Sequence, residues 1–167
     1  MNIEGYGKLA AEYKTDYKLI NEQANALAEN TSWYISALGN ISALIYDSLE
    51  DLNWAGFYFV RDDKLILGPF QGKPACTDIP LKKGVCAAAV LENRVMRVDN
   101  VHSFPGHIAC DSASESEIVI PVRKNGAVVG VLDIDSPVLS RFSEEDENGL
   151  EQIVKVAEEI LSHTDEL

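Results

Sequence analysis

The sequence predicts an α+β fold, with a central, mainly antiparallel sheet, terminal helices packed on one face, and ligand-covering loops plus a short helix on the other. Three observations carry this expectation. Long helical periodicity is confined to the two ends of the chain. Between them, β-type segments arrive in sequence, several joined by short turns. The tripeptide Lys124-Asn125-Gly126, set between two apolar runs, is a strong hairpin signal.

Residues 8 to 29 are rich in Ala, Glu and Lys, and Leu9, Tyr13, Tyr17, Ile20, Ala24 and Leu27 fall near one helical stripe. Asn30 or Thr31 can cap a second helix running to about Leu49, with Tyr34, Leu38, Ile41 and Ile45 on its buried face. From Trp54 the run WAGFYFV reads as a strand, followed by an Asp62-Asp63 turn and a second strand, KLILGPF. Gly68 to Lys83 is expected to be loop. Gly84 opens a short helix in GVCAAAVLEN, and RVMRVDN is a short strand. Residues 100 to 115 form a long irregular segment. The hairpin strands are SEIVIPV and VVGVLDID. A final helix starts at Ser143, where SEED forms a capping box with Asp146, and carries Leu150, Ile153, Ala157, Ile160 and Leu161.

A chain of 167 residues, 46% of them apolar, can bury a core as a single domain spanning 1–167. The formal charge of −13 argues against nucleic acid, because no basic stripe is present to neutralise phosphates. No apolar run has membrane-spanning length, and the first residues lack a secretory pattern. Three cysteines, an odd number, fit reduced thiols in a cytoplasmic protein better than a secreted disulfide framework.

The chemistry centres on GHIACD, Gly106 to Asp111. Cys110 sits among His102, His107, Asp111, Ser112 and Ser114, polar company that favours a reactive thiol over an inert buried one. An imidazolium or backbone N–H groups nearby would raise its thiolate fraction. Cys86, within GVCAAAV, reads equally as a small core residue. Cys76 lies in a loop, where a thiol can pair or stand idle. His102, His107 and Cys110, with Asp111 or Cys76, could ligate a metal, but the spacing lacks a CxxC or HExxH register, so no metal is assigned. Asp133 and Asp135 share a strand face by period two, and the hairpin brings Glu117 close to them. Carboxyls crowded in this way raise at least one pKa and yield a proton donor. Trp54 and Tyr58 share a face of their strand and could form an apolar wall. No nucleotide-binding glycine motif or Ser-His-Asp arrangement is present.

The stretches NWAGFYF, LGPFQGKPACTDIPLKKGVC, VDNVHSFPGHIACDSASESEIVIPV and GVLDIDSP, followed by RFSEED, closely resemble the free methionine-(R)-sulfoxide reductases, enzymes built on a GAF domain. The likeness runs from about Trp33 into the last helix. It implies a GAF-like catalytic domain acting on free L-methionine (R)-sulfoxide. It implies Cys110 as nucleophile and Cys86 as the thiol that resolves a Cys110 sulfenic acid into a Cys110–Cys86 disulfide. Cys76 joins disulfide exchange. Trp54, Glu117, Asp133 and Asp135 correspond to the substrate site, with Glu117 or Asp135 as the proton donor. A thioredoxin-like reductant and a homodimer are further implications, with no cofactor required. Ala87-Ala88 departs from the family pattern, where Gly-Thr is expected after GVC. The rival reading is a GAF-type sensory module, which would bind a small ligand without turnover and need none of the cysteines.

Overall fold

The computed structural model describes residues 15–29, 31–108 and 110–165. The expected first turns of the opening helix, with Leu9 and Tyr13, lie outside them, as does Asn30. Four helices and six strands are present among the described residues: α1 (Tyr17–Glu29), α2 (Tyr34–Ser48), β1 (Trp54–Arg61), β2 (Lys64–Gly72), β3 (Asp78–Pro80), α3 (Val85–Glu92), β4 (Met96–Val98), β5 (Ser116–Lys124), β6 (Ala127–Ser136) and α4 (Glu144–Ser162). The strands form one antiparallel sheet in the order β3-β2-β1-β6-β5-β4. The expected α+β architecture is what the chain adopts.

Period-two alternation sorts the sheet's side chains into two cores. Ala55, Phe57 and Phe59 of β1, Ile118, Ile120 and Val122 of β5, and Leu132 and Ile134 of β6 pack against α1, α2 and α4. The opposite face carries Trp54, Tyr58, Val119 and Val131, covered by α3 through Val85, Cys86 and Ala89. Buried aliphatics at each position contribute roughly 1.5–3 kcal/mol. The helical layer therefore anchors the sheet, and the second face is left for loops.

The helices begin and meet for identifiable reasons. The Ser143 hydroxyl accepts from the Asp146 N–H, and the Asp146 carboxylate accepts from the Ser143 N–H, completing the expected capping box. Four acidic residues in the first turn of α4 suit the positive end of its dipole. Asp146 also accepts from the Tyr17 hydroxyl at 2.6 Å, which pins α1 to α4. At this crossing a Cβ on Gly149 would lie 2.1 Å from the Tyr17 ring, so only glycine lets the helices approach so closely.

Three local expectations are corrected. Thr31 does not cap α2: its hydroxyl donates to the Leu27 carbonyl and closes α1, while Trp33 occupies the N-cap without a side-chain bond. The buried stripe of α1 runs through Ile20, Ala24 and Ala28, leaving Leu27 beside it, because i, i+4 spacing continues to position 28. The segment from Gly68 to Lys83 is not all loop. β2 extends to Gly72, and Asp78–Pro80 returns as an edge strand against Lys64–Ile66.

Candidate active site

The site forms on the sheet face opposite the long helices, where β5, β6 and the start of α3 meet the irregular segment before β5. Glu117 pairs with Asp135, and Val119 with Asp133, so all three carboxyls share one face. Above them stands Cys86, in the first turn of α3, with its sulfur 3.9 Å from Glu117 Oε1. His107 reaches in from the loop, with Nε2 3.8 Å from Glu117 Oε2. These groups line a hollow of about 30 Å³ that runs from Lys83 and Asp111 at the rim to Asp133 on the floor.

The electrostatics follow from burial. Desolvation pushes the Glu117 carboxyl well above the usual carboxylate range, and the charges of Asp133 and Asp135 push it further. Asp133 is pushed up to about 6, again by desolvation, with hydrogen bonds to Cys86 and Glu117 opposing the shift. Asp135 is raised by burial and by Asp133, against a hydrogen bond to Ser114. The Cys86 thiol is driven up by burial and by the three carboxyls. His107 is lowered by desolvation and by His102. Both shifts favour the neutral forms and so weaken any ion pairing across the His107–Glu117 contact. Glu117 and Asp135, both raised well above the usual range, are the groups placed to give a proton.

The rim carries the redox chemistry. Cys110 is joined to Cys76 in a disulfide that spans Cα atoms 5.6 Å apart, within the normal range. This corrects the expected Cys110–Cys86 pairing. Cys86 is the free, buried cysteine, fixed in a helical turn and aimed at Glu117, whereas Cys76 and Cys110 come from two loops that meet at the rim. His102 does not join them. It turns outward to Glu115 at 3.2 Å, so the His102–His107–Cys110 metal set is not assembled. Nor does His107 supply an imidazolium at neutral pH.

Several positioning residues were not anticipated. The Asn53 amide donates to Asp111 Oδ2 and to the Ser114 hydroxyl, at 3.1 and 3.0 Å. Asp111 also accepts from the Ala113 N–H, and that bond, the Asn53 amide and Lys73 at 3.5 Å together hold its carboxyl below its ordinary range. The Tyr58 hydroxyl donates to the Cys76 carbonyl at 3.0 Å. Asn53 thus ties the Cys110 loop to the sheet, and Tyr58 does the same for Cys76. The adjacency of Asp111 to Cys110 is visible in the sequence, but no spacing rule links either to Asn53.

Trp54 stacks between Tyr58 and Phe70, with ring centroids 5.6 and 5.3 Å away, as part of the expected apolar wall. It pairs with Asp135 across the β1–β6 ladder but does not line the hollow. Its buried indole N–H and one oxygen of Asp133, Oδ1, find no hydrogen-bond partner among the described residues. A larger cleft of about 410 Å³ lies between the α1–α2 connection and the end of α4, but it has no cysteine and no carboxyl cluster. The smaller hollow holds the chemistry.

A sheet with helices on one face and a loop-capped hollow on the other is a GAF architecture, and the GAF domain family matches residues 37–162. The free methionine-R-sulfoxide reductase of Escherichia coli (strain K12) is 52% identical over 149 residues, covering 89% of this chain and 90% of that protein. The fRMsr of Staphylococcus aureus in its reduced form superposes with a TM-score of 0.85 at 50% identity, covering 89% of this chain and 97% of the other. The free methionine-R-sulfoxide reductase of Neisseria meningitidis in complex with its substrate gives 0.83 at 37% identity, with coverages of 86% and 87%. The chain belongs to the free methionine-R-sulfoxide reductase family of GAF-domain proteins.

Proposed function

We propose that this protein is an enzyme that reduces free L-methionine (R)-sulfoxide to L-methionine, with Cys110 as nucleophile and Cys76 as the thiol that resolves it. The observation that carries this reading is the Cys76–Cys110 disulfide set above a floor of carboxyls held toward their protonated forms. In the dithiol form the Cys110 thiolate attacks the sulfoxide sulfur, while Glu117 or Asp135 protonates the oxygen. Methionine leaves, and the oxygen stays on Cys110 as a sulfenic acid. The Cys76 thiol condenses with it, releasing water and forming the disulfide. A dithiol reductant of the thioredoxin type then restores both thiols by exchange.

The substrate is small and zwitterionic, so its charges must be matched inside the site. Asp133, with its unpartnered acceptor oxygen, suits the ammonium group. Trp54, outside the hollow of the disulfide form, packs on the S-methyl group once the loops part. In the disulfide form the hollow is too small for an amino acid, so the linked loops part when the disulfide is reduced. The chain works as a single catalytic domain over 1–167, in the cytoplasm and as a homodimer. Among the described residues no helix is long and apolar enough to cross a membrane.

The test is NADPH oxidation coupled through thioredoxin and its reductase. Free methionine (R)-sulfoxide should drive it, while the (S) form and peptide-bound sulfoxide should not. Cys110→Ser should abolish turnover in a folded protein, and activity retained in that variant would overturn the assignment. Cys76→Ser should still release one equivalent of methionine per chain but recycle poorly.

A further inference from the structure

Cys86 is left without a role once Cys76 resolves the sulfenic acid, yet it is held in an unusual setting. Its sulfur, a carboxylate oxygen of Glu117 and one of Asp133 all lie within 4.8 Å of one another, and all three residues are buried. Asp133, which lines the hollow, is only 7% exposed, and its buried Oδ1 has no hydrogen-bond partner among the described residues. His107 Nε2 stands 3.8 Å from the same Glu117 carboxylate. The arrangement therefore offers one sulfur, two carboxylates and an adjacent imidazole around a hollow the size of a small ion.

We propose that this cluster is a binding site for one soft divalent cation of the Zn²⁺ or Cd²⁺ class, ligated by Cys86, Glu117 and Asp133, and that the disulfide form of the protein retains it. The geometry is close to what such an ion demands. Metal–sulfur and metal–oxygen legs of about 2.3 and 2.0 Å at a tetrahedral angle separate the two ligand atoms by about 3.5 Å. Cys86 and Glu117 are 3.9 Å apart, so a shift of a few tenths of an ångström brings that pair to ligand spacing, and Asp133 lies within 4.8 Å of both. The donor set selects the metal. A thiolate favours zinc or cadmium, whereas magnesium and calcium prefer all-oxygen ligation.

Binding exchanges protons for the ion: the Cys86 S–H proton and those held by the carboxyls leave, and sulfur and oxygen lone pairs go to the metal with no change of oxidation state. Affinity should therefore tighten as pH rises. The ion would occupy the acceptor assigned above to the substrate ammonium, making it an inhibitor and not a cofactor. That consequence rests on the proposed function, but the binding itself does not.

The disulfide form makes a clean test, because Cys86 is then the only thiol. Titration of the oxidised protein with Cd²⁺ should give one thiolate-to-metal absorption per chain, with proton release measured by calorimetry in buffers of different ionisation heat. Cys86→Ser should abolish the absorption. Asp133→Asn, which keeps the thiol, should weaken affinity at least tenfold. Absence of a thiolate band in the oxidised wild type, or a band unchanged in Asp133→Asn, would overturn the site. Binding of Cd²⁺ without thiolate absorption would mean exposed carboxylates only and would equally sink it.

Discussion

At the scale of single residues, the site is decided by where desolvated charge can be tolerated. Asp133 faces Cys86, Glu117 and Asp135 from its own and neighbouring elements, and burial makes its ionised form costly. Its folded-state pKa of about 6 stands above the ordinary 3.8, so the folded protein holds the proton more tightly than the unfolded chain does. Stability from this group is fully present below pH 4 and is lost as pH rises through 6. Asp133→Asn should therefore match the wild type near pH 4 and exceed it above pH 6, by up to about 3 kcal/mol at ~1.4 kcal/mol per pKa unit. Unfolding of both proteins at several pH values checks this. A stability gap that did not change with pH would show that Asp133 is not strained by ionisation. The three carboxyls were legible in the sequence because charges interrupt apolar strands at period two. The partner of Cys110 was not, because 34 residues of chain separate it from Cys76 and no local pattern reports which loops meet.

At the scale of elements, the hairpin shows how far pattern reading reaches. Asn125 and Gly126 both adopt positive φ, as a tight turn at that place requires, and Lys124 faces Ala127. Continued without interruption, that register would set Glu117 opposite Ile134 and put it on the helical face. A shift at Val122/Arg123 intervenes: Arg123 pairs with Val128 but Val122 with Gly130, leaving Val129 as the extra residue. That one bulge returns Glu117 to Asp135 and aligns Ile118 with Ile134. The turn was readable, but the bulge follows only from the need to keep both apolar faces in phase. The α1–α4 crossing gives a second case. Gly149 within α4 reads as a weak point, since alanine improves an exposed helix interior by about 1 kcal/mol. Here the added methyl would strike the Tyr17 ring at 2.1 Å, beside the Tyr17–Asp146 hydrogen bond. Gly149→Ala should therefore destabilise the protein by about 1–3 kcal/mol. Denaturant melts decide it, and a gain in stability would mean that α1 docks elsewhere.

At the scale of the whole molecule, the sheet separates a face that holds the fold from a face that carries the disulfide and the hollow. The helical core, from Ile20 to Leu161, makes no use of the disulfide. The hollow, about 30 Å³ in volume, is lined by Cys110, whose loop the disulfide ties to that of Cys76. Each catalytic cycle of the proposed reaction therefore alternates between a cross-linked, closed molecule and an unlinked one that admits substrate. The cross-link should register in global stability. Closing a loop of 34 residues removes unfolded-chain entropy worth ~4 kcal/mol in the chain-entropy model. The helical core must carry the unlinked form without that contribution. Oxidised protein should accordingly unfold at higher denaturant than protein held in a dithiol reductant, and Cys76→Ser without reductant should coincide with the reduced wild type. Cys86→Ser should keep the gap between oxidised and reduced forms, since its thiol is outside the link. A gap abolished by Cys86→Ser would return the disulfide to Cys86, and equal midpoints for oxidised and reduced wild type would show that the link adds no stability.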